Sequence, residues 1–231
     1  MVPVGKIKLA IFDVAGTTAH DGGLVVEAFQ GAMVSMGVQP GSPELLTMTD
    51  YVNATMGERK IDVFMHLCDG DSERANNAHE RFVEGYISLV HAGKLQEFEG
   101  VTALFDRLRE NGIAVSITTG FPRDILDTVI GGLKWAPHID FSVASSEVAQ
   151  GRPAPDMIFR SIDLYNKRFN TEISAQDVAV IGDTEADMKA GVTAGAQIIA
   201  GVATGAHNPD RLFHAGATHV LESAVELPTI C

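Results

Sequence analysis

The sequence predicts an α/β fold built on a doubly wound parallel sheet, with an α-helical segment inserted into it. Three observations predict it. Short apolar runs alternate with longer amphipathic stretches, each run ends in a polar or glycine-rich turn, and the gap after the first run is far wider than the later gaps. The alternation is typical of α/β proteins, and the wide gap indicates a helical insert.

Five short apolar runs predict the strands of the sheet. They lie at residues 7–12, 113–117, 141–144, 178–181 and, more weakly, 197–202. Apolar runs of this length between turn signals are typical of buried strands. From residue 208 onward we expect one short helix, a short strand at residues 218–221 and a tail.

The segment between the first two strands predicts a helical cap. About a hundred residues separate these strands, whereas the later strands follow at the intervals of single βα units. Helical patterns occur at residues 24–36, 43–55, 60–67 and 73–90. We therefore expect two domains: a core formed by residues 1–18 and 95–231, and a cap formed by residues 19–94.

Composition and charge disfavour several classes of protein. The chain has 17 Lys and Arg against 30 Asp and Glu, a formal net charge of −13. A general nucleic-acid binder or an acidic-membrane binder needs a cationic surface, so we expect neither partner. A small anionic substrate stays open, because a metal ion, one arginine and backbone N–H groups can make a site locally positive.

Cysteine usage and hydropathy predict the compartment. The two cysteines, Cys68 and Cys231, allow at most one disulfide, and isolated thiols are typical of a reducing compartment. No apolar run approaches the roughly 18 residues of a membrane span, and we recognise no signal peptide. We expect a soluble cytoplasmic protein.

Acidic residues follow two of the predicted strands. Asp13 directly follows the first strand, and Asp183 follows the fourth, with Asp187 four residues later. Ligands of doubly wound sheets bind beyond the carboxyl ends of the strands, so we expect these carboxylates to meet there. They would repel each other without a cation, and hard oxygen ligands suit Mg²⁺. Asp13 then becomes a candidate nucleophile toward phosphorus, while a helix-capping role for it stays open.

Residues suited to an anion follow two other strands. Thr119 and Gly120 precede a predicted helix at residues 123–130, where a hydroxyl and free N–H groups can bind an anion. Arg152 can offer a planar fork to phosphoryl oxygens. The alternatives are that Thr119 only caps the helix and that Arg152 is a surface turn residue. The four turns together are more specific than any one of them.

The four turns resemble the motifs of the haloacid dehalogenase superfamily of phosphoryl-transfer hydrolases. The matching residues, in order, are Asp13, Thr119, Arg152, Gly182-Asp183-Thr184 and Asp187. The resemblance covers nearly the whole chain and implies a Rossmann-like core and a Mg²⁺ site. The implied metal ligands are Asp13, the backbone carbonyl of Ala15, and Asp183. The other implied site residues are Thr184 and Asp187 around the metal, and Thr17, Thr119, Gly120 and Arg152 at the substrate.

The general acid of most phosphatases in this superfamily is absent. That acid is an Asp two residues after the nucleophile, where this chain has Ala15. Losing a positioned general acid typically costs about 10²–10⁴-fold in rate. The turn from Asp13 to Thr18 instead resembles that of the phosphonatase branch, whose members cut a carbon–phosphorus bond.

A lysine in the predicted cap fits the same branch. Residues 56–62 read Met-Gly-Glu-Arg-Lys-Ile-Asp and resemble the phosphonatase cap motif, in which the lysine forms an imine with the substrate aldehyde. The match makes Lys60 the imine former and Met56, expected on the same helix face, a substrate contact. We expect burial or a neighbouring cation such as Arg59 to lower the pKa of Lys60 from about 10.4. A solvated helix face stays open as the alternative for Lys60.

Two positions depart from the phosphonatase pattern. Val63 stands where the motif has a His, and Phe121 stands where a Tyr commonly follows the Thr-Gly turn. These differences leave the nucleophile and the imine former in place. They leave the exact substrate open.

Three functions are consistent with these residues. The first is Mg²⁺-dependent hydrolysis of the carbon–phosphorus bond of phosphonoacetaldehyde, or of a closely related phosphonate, through a Lys60 imine and an aspartyl phosphate on Asp13. The second is a small-metabolite phosphomonoesterase of the same superfamily, and the third is a binding or regulatory protein without catalysis. The expected partner is a small phosphonate or phosphate. The resemblance also implies a homodimer through the cap.

Overall fold

A six-stranded, wholly parallel sheet forms the centre of the protein. The computed structural model of the chain describes residues 7–230, so Cys231 lies outside the described residues. The strands that the description uses are β1 (Leu9–Phe12), β2 (Ala19–His20), β3 (Gln96–Glu97), β4 (Ala114–Thr119), β5 (Phe141–Ala144), β6 (Val178–Gly182), β7 (Ile198–Val202) and β8 (His219–Leu221). The spatial order β5-β4-β1-β6-β7-β8 places the first strand at the centre and confirms the predicted α/β fold.

The helices follow the predicted pattern closely. They are α1 (Leu24–Ser35), α2 (Pro43–Ala54), α3 (Lys60–Leu67), α4 (Ser72–His91), α5 (Val101–Glu110), α6 (Arg123–Gly132), α7 (Asp156–Phe169), α8 (Glu185–Ala194) and α9 (Pro209–His214). Local signals explain where several of them begin. Ser42 accepts a hydrogen bond from the N–H of Leu45 at the start of α2, and Asp71 does the same for the first turn of α4.

Register within the sheet determines where the functional turns meet. Leu9 pairs with Ala114 on one side and with Val178 on the other, and Phe12 pairs with Ile117 and Ile181. Because all three strands run in the same direction, their carboxyl ends lie at the same edge of the sheet. The turns that follow β1, β4 and β6 are therefore neighbours.

Both faces of β1 are covered. Leu9 and Ile11 pack against α7, whereas Phe12 points to the opposite face and packs against Phe105 of α5. This alternation is the period of two that a strand imposes on its side chains. Strands buried on both faces are expected in a parallel sheet, and they explain the apolar runs in the sequence.

Helices α1 to α4 lie between β2 and β3, which pair with each other as a short antiparallel ribbon. Ala19 pairs with Glu97 and His20 with Gln96, so the chain leaves and re-enters the sheet layer through adjacent strands. Helix α4 packs along α1 and α3 and also contacts α6. The division into a core of residues 1–18 and 95–231 and a cap of residues 19–94 remains a proposal, which this paired crossing supports.

The described residues contain no helix that is both long enough and apolar enough to cross a membrane.

Removing Phe105 should strongly destabilise the sheet layer. Its fully buried ring contacts Phe12 at a centroid distance of 5.3 Å and Trp135 at 5.5 Å. We expect Phe105→Ala to lower the free energy of unfolding by about 3–5 kcal/mol, measured by urea denaturation. The control is Phe213→Ala, whose ring is 53% exposed and whose loss should cost no more than about 0.5 kcal/mol. Equal effects of the two substitutions would contradict this packing.

Candidate active site

A cavity of about 290 Å³ lies beyond the carboxyl ends of β1, β4 and β6, where the cap meets the sheet. This volume is at the small end of the roughly 300–1,000 Å³ typical of ligand pockets. Most of the site residues predicted from the sequence line it: Asp13, Ala15, Met56, Lys60, Thr119, Gly120, Asp183 and Thr184. Arg152, Thr17 and Asp187 are not part of its lining.

Asp13 is a buried carboxylate directly after β1. Its Oδ1 accepts a hydrogen bond of 2.7 Å from Nη1 of Arg152. Burial raises the pKa of Asp13 to about 6; the positive charge of Arg152 opposes this shift and the negative charge of Asp187 adds to it. A second cation beside Asp13 would favour the charged form that a nucleophile needs.

Asp183 is the second carboxylate of the cavity, directly after β6. The hydroxyl of Thr17 donates to its Oδ1 at 3.1 Å, and the N–H of Ala206 donates to its Oδ2 at 2.7 Å. Burial raises the pKa of Asp183 well above its usual range, and the neighbouring charges of Asp13 and Asp187 raise it further. Carboxylates that disfavour each other's ionisation in this way are a site for a cation.

The donor set fits a hard divalent cation. Residues 7–230 contain no cluster of three or more His, Cys, Asp or Glu side chains that could hold a metal ion, so a cation here would have only Asp13 and Asp183 as side-chain ligands. Two carboxylates and a backbone carbonyl leave most of the coordination shell to water or substrate, which suits Mg²⁺. The backbone of Gly16 lies close to the carboxylate of Asp183. A Cβ there would stand 2.4 Å from Oδ2 of Asp183, and the φ of +83° also requires glycine.

Arg152 contacts Asp13 but does not line the cavity. Its Nη1 donates to both Asp13 and Asp187, and the attraction of these two carboxylates outweighs burial, so the pKa of the guanidinium is raised. Its buried Nε and Nη2 have no hydrogen-bond partner among the described residues. Two donors without partners favour a further oxygen ligand, although the predicted contact of Arg152 with phosphoryl oxygens stays a prediction.

Asp187 connects Arg152 to the start of α8. Its Oδ2 accepts hydrogen bonds from the N–H and the hydroxyl of Thr184, the residue that caps this helix. The same carboxylate therefore orients the guanidinium and the turn that carries Asp183. Its predicted role beside the metal stays a prediction, as does the predicted substrate contact of Thr17.

Thr119 ends β4 and is not the cap of the following helix. Its Oγ1 accepts a hydrogen bond of 3.2 Å from the N–H of Phe121, while Pro122 occupies the cap position of α6. The alternative of a helix-capping threonine is therefore wrong. Thr119 and Gly120 instead line the cavity beside Asp13, where an anion would lie.

Lys60 is the first residue of α3 and is only 5% exposed. Its Nζ donates to the carbonyl of Glu58 at 3.2 Å, and its side chain lines the same cavity as Asp13. Burial, and then the charge of Arg152, lower the pKa of Lys60 to about 8 against the opposing charges of Asp13, Glu58 and Asp21. The alternative of a solvated helix face is therefore wrong.

Two details predicted around Lys60 are wrong. Met56 does not share a helix face with Lys60, because α3 begins only at Lys60 and Gly57, with a φ of +85°, lies between them. Arg59 is not the cation that lowers the pKa of Lys60. Its Nη1 donates to the carbonyl of Ala149 at 3.2 Å. The cation that lowers the pKa of Lys60 is Arg152.

Several lining residues belong to no motif that the sequence analysis identified. Asp21, Val25 and the loop of Thr204 to Ala206 also border the cavity, as does His20. Asp21 stands between a histidine and two glycines, so no pattern distinguishes it from an ordinary loop residue. The loop from Thr204 to Ala206 follows β7, which corresponds to the weakest of the predicted strands.

The start of α3 lies directly against the turn after β4. The N–H of Lys60 donates to the carbonyl of Gly120 at 3.3 Å. A Cβ at Gly120 would stand 2.5 Å from the carbonyl oxygen of Glu58, so only glycine permits this approach without a shift of the backbone. The contact holds Lys60 next to the sheet edge.

Comparison with known proteins identifies relatives along most of the chain. A family model described as haloacid dehalogenase-like hydrolase matches residues 10–201. The chain is 28% identical over 213 residues to the bifunctional phosphonoacetaldehyde hydrolase/aminoethylphosphonate transaminase of Clostridioides difficile. The match covers 82% of this chain but only 30% of that longer protein. It is 26% identical over 269 residues to the phosphonoacetaldehyde hydrolase of Bacteroides fragilis, covering 97% of this chain and 95% of that one.

Solved structures with the same fold are named for two different activities. A phosphonoacetaldehyde hydrolase-like protein from Oleispira antarctica superposes with a TM-score of 0.80 at 20% identity, covering 98% of this chain and 92% of that one. A predicted phosphoglycolate phosphatase from Haemophilus somnus superposes with a TM-score of 0.79 at 13% identity, covering 98% of both. At such identities the likeness shows the fold alone.

Adding a methyl group at Gly120 should separate α3 from the sheet edge. In Gly120→Ala we expect the amide of Lys60 to exchange its hydrogen about five- to tenfold faster, the change that losing a hydrogen bond of roughly 1 kcal/mol produces. Hydrogen–deuterium exchange with mass spectrometry measures it. The matched control is Gly131→Ala in α6, where nothing lies within 4 Å of the added Cβ. Unchanged exchange at Lys60 in Gly120→Ala would contradict the contact.

Proposed function

The chain belongs to the haloacid dehalogenase-like hydrolases, and we propose that it hydrolyses the carbon–phosphorus bond of phosphonoacetaldehyde or a closely related phosphonate. The observation that carries this proposal is the position of Lys60, a buried amine that lines the same cavity as Asp13. Two residues after Asp13, where a phosphatase has its general acid, stands Ala15. The relatives named as phosphonoacetaldehyde hydrolases support the same substrate class.

Lys60 acts first in this proposal. Its neutral amine attacks the aldehyde carbon of the substrate, and the resulting carbinolamine takes up a proton and loses water to leave a protonated imine. A carbanion is a poor leaving group, and the positively charged imine provides the electron sink that it needs. The lowered pKa of Lys60 supports this step, because a larger fraction of the amine is neutral near physiological pH.

Asp13 acts second. Its carboxylate attacks phosphorus, the carbon–phosphorus bond breaks, and its electron pair moves into the imine to form an enamine. Water then hydrolyses the aspartyl phosphate, which releases phosphate and regenerates Asp13. Protonation of the enamine and hydrolysis of the resulting imine release acetaldehyde and regenerate Lys60. The sum is phosphonoacetaldehyde plus water giving acetaldehyde plus phosphate.

The remaining residues of the cavity prepare the phosphoryl group. Asp13, Asp183 and the carbonyl of Ala15 would hold Mg²⁺, which when bound neutralises charge on the transferring group. Thr119 and Gly120 would donate to phosphoryl oxygens at the edge of the cavity. Arg152, which does not line the cavity, would act through its hydrogen bond to Asp13, and a direct contact with phosphoryl oxygens stays a prediction.

The second candidate is a small-metabolite phosphomonoesterase. Its support is the match of residues 10–201 to the haloacid dehalogenase-like hydrolases together with Asp13, the implied nucleophile, which does not need Lys60 for ester hydrolysis. It requires a basic alkoxide to leave without the acid that Ala15 replaces, which costs about 10²–10⁴-fold in rate. Turnover of phosphate esters that is fast and independent of Lys60 would favour this candidate over the first.

A homodimer through the cap and a cytoplasmic location stay predictions.

Replacing Lys60 should abolish both turnover and covalent capture. We expect Lys60→Ala to lower acetaldehyde release from phosphonoacetaldehyde by at least about 10²-fold. Borohydride added with the substrate should attach the reduced imine to Lys60 in the wild-type chain, located by peptide mass spectrometry. The control is Lys167→Ala, an exposed lysine on α7, which should behave as the wild type. Full activity of Lys60→Ala would overturn the proposal.

The pH dependence should report the lowered pKa of Lys60. Because the amine must be neutral, activity should rise with pH while Lys60 is mostly protonated and level off above its pKa of about 8. A lysine with an ordinary pKa would give a rise that continues to about pH 10.4. The measurement is kcat/KM for acetaldehyde release across this range, with Mg²⁺ saturating. A rise without a plateau up to pH 10 would argue against a buried Lys60 as the reacting amine.

A further inference from the structure

Asp21 is an acidic residue of the cavity that neither the metal site nor the phosphoryl site uses. It directly follows β2, at the start of the helical segment, and it is half-buried. It lines the same cavity as Lys60 and Asp13. A carboxylate that shares a small cavity with an amine needs an explanation, because leaving an unpaired charge in an apolar site is costly.

Two hydrogen bonds orient the Asp21 carboxylate. The N–H of Val25 donates to Oδ2 at 3.3 Å, and the hydroxyl of Tyr86 lies 3.4 Å from Oδ1. Tyr86 is fully buried in α4, so its ring is held in place. Both helices that contact Asp21, α1 and α4, are therefore cap helices, and the carboxylate is held on the cap side of the cavity as Lys60 is.

The electrostatic environment couples Asp21 to Lys60. Burial raises the pKa of Asp21, while the hydrogen bonds from Val25 and Tyr86 and the positive charge of Lys60 oppose the rise. Burial lowers the pKa of Lys60, and the negative charge of Asp21 opposes this shift. The two groups therefore share one cavity and influence each other's charge.

We propose that Asp21 is the acid–base residue for imine formation at Lys60, held in position by Tyr86. The proposal rests on the function proposed above. Asp21 takes a proton from the ammonium of Lys60, and the neutral amine adds to the aldehyde carbon. After the proton on nitrogen has moved to the new oxygen, Asp21 returns its proton to that hydroxyl, which leaves as water. The products are the protonated imine, water and the Asp21 carboxylate, so atoms and charge balance.

A purely structural role for Asp21 is the competing explanation. Its backbone carbonyl accepts from the N–H of Leu24 and its side chain accepts from the N–H of Val25, so it also supports the first turn of α1. Asp21→Asn separates the two roles. An asparagine oxygen still accepts from Val25, but the amide cannot take up or return a proton.

The test uses acetaldehyde as the probe, with cyanoborohydride to reduce any imine and peptide mass spectrometry to count ethyl groups on Lys60. We expect Asp21→Asn to slow this labelling by about 10²-fold or more, with the thermal midpoint unchanged within about 2 °C. In Asp21→Ala, added formate should restore part of the rate, because a small acid can occupy the vacated space; a structural role predicts no such rescue. The control, Asp163→Asn on the exposed side of α7, should label as the wild type.

The outcomes distinguish this proposal from the one on which it rests. Labelling of Asp21→Asn at the wild-type rate overturns the role of Asp21 and leaves the Lys60 imine standing. A wild-type chain that is labelled at Lys60 by acetaldehyde but releases no phosphate from phosphonoacetaldehyde overturns the proposed substrate, and the Asp21 comparison still decides its own question. No labelling of the wild type at Lys60 overturns both.

Discussion

The parallel pairing of β1 between β4 and β6 is the constraint on which the rest of the site depends. Once Phe12 is paired with Ile117 and Ile181, the three chains must leave the sheet at one edge. Two carboxylates, a hydroxyl and several N–H groups then share a space of a few residues. The pairing of the three strands supplies this proximity without any contribution from helices α1 to α4. In the proposed reaction, the phosphoryl group is therefore handled at the sheet edge and the aldehyde by Lys60 of α3.

Charge is the second constraint, and it follows from the first. Asp13, Asp183 and Asp187 are all buried near the same edge; the charge of Asp187 raises the pKa of Asp13, and the charges of Asp13 and Asp187 raise that of Asp183. Arg152 pairs with two of them but leaves Asp183 with hydrogen bonds from Thr17 and Ala206 alone. A divalent cation between Asp13 and Asp183 would relieve this repulsion. The proposed metal site would therefore offset a repulsion that the hydrogen bonds of Thr17 and Ala206 only partly oppose.

The sequence was sufficient for the sheet and for most of the site, because both depend on local signals. A buried parallel strand is an apolar run, and the residue that follows it lies at the sheet edge wherever the strand pairs. The ribbon of β2 and β3 was not predictable, since two residues per strand carry no alternation. Asp21 was missed because its importance comes from Lys60 and Tyr86, which lie 39 and 65 residues away in the chain. Arg59 was named as a possible neighbour of Lys60 from its adjacent position in the chain, and only the folded chain shows that Arg152 is the cation that lowers the pKa of Lys60.

Arg152 connects the two halves of the proposed reaction. Its positive charge stabilises the ionised form of Asp13, the form that attacks phosphorus, and disfavours the protonated form of Lys60, the form that cannot attack a carbonyl. One buried cation thus prepares both reacting groups. A chain that has Ala15 in place of a general acid cannot assist an alkoxide by giving it a proton, but it can draw electrons from carbon if an amine is available in neutral form. In the proposed reaction that amine is Lys60, whose pKa is lowered by burial and by the charge of Arg152. The Lys60 imine would then give the leaving group the assistance that a general acid at position 15 gives in phosphatases.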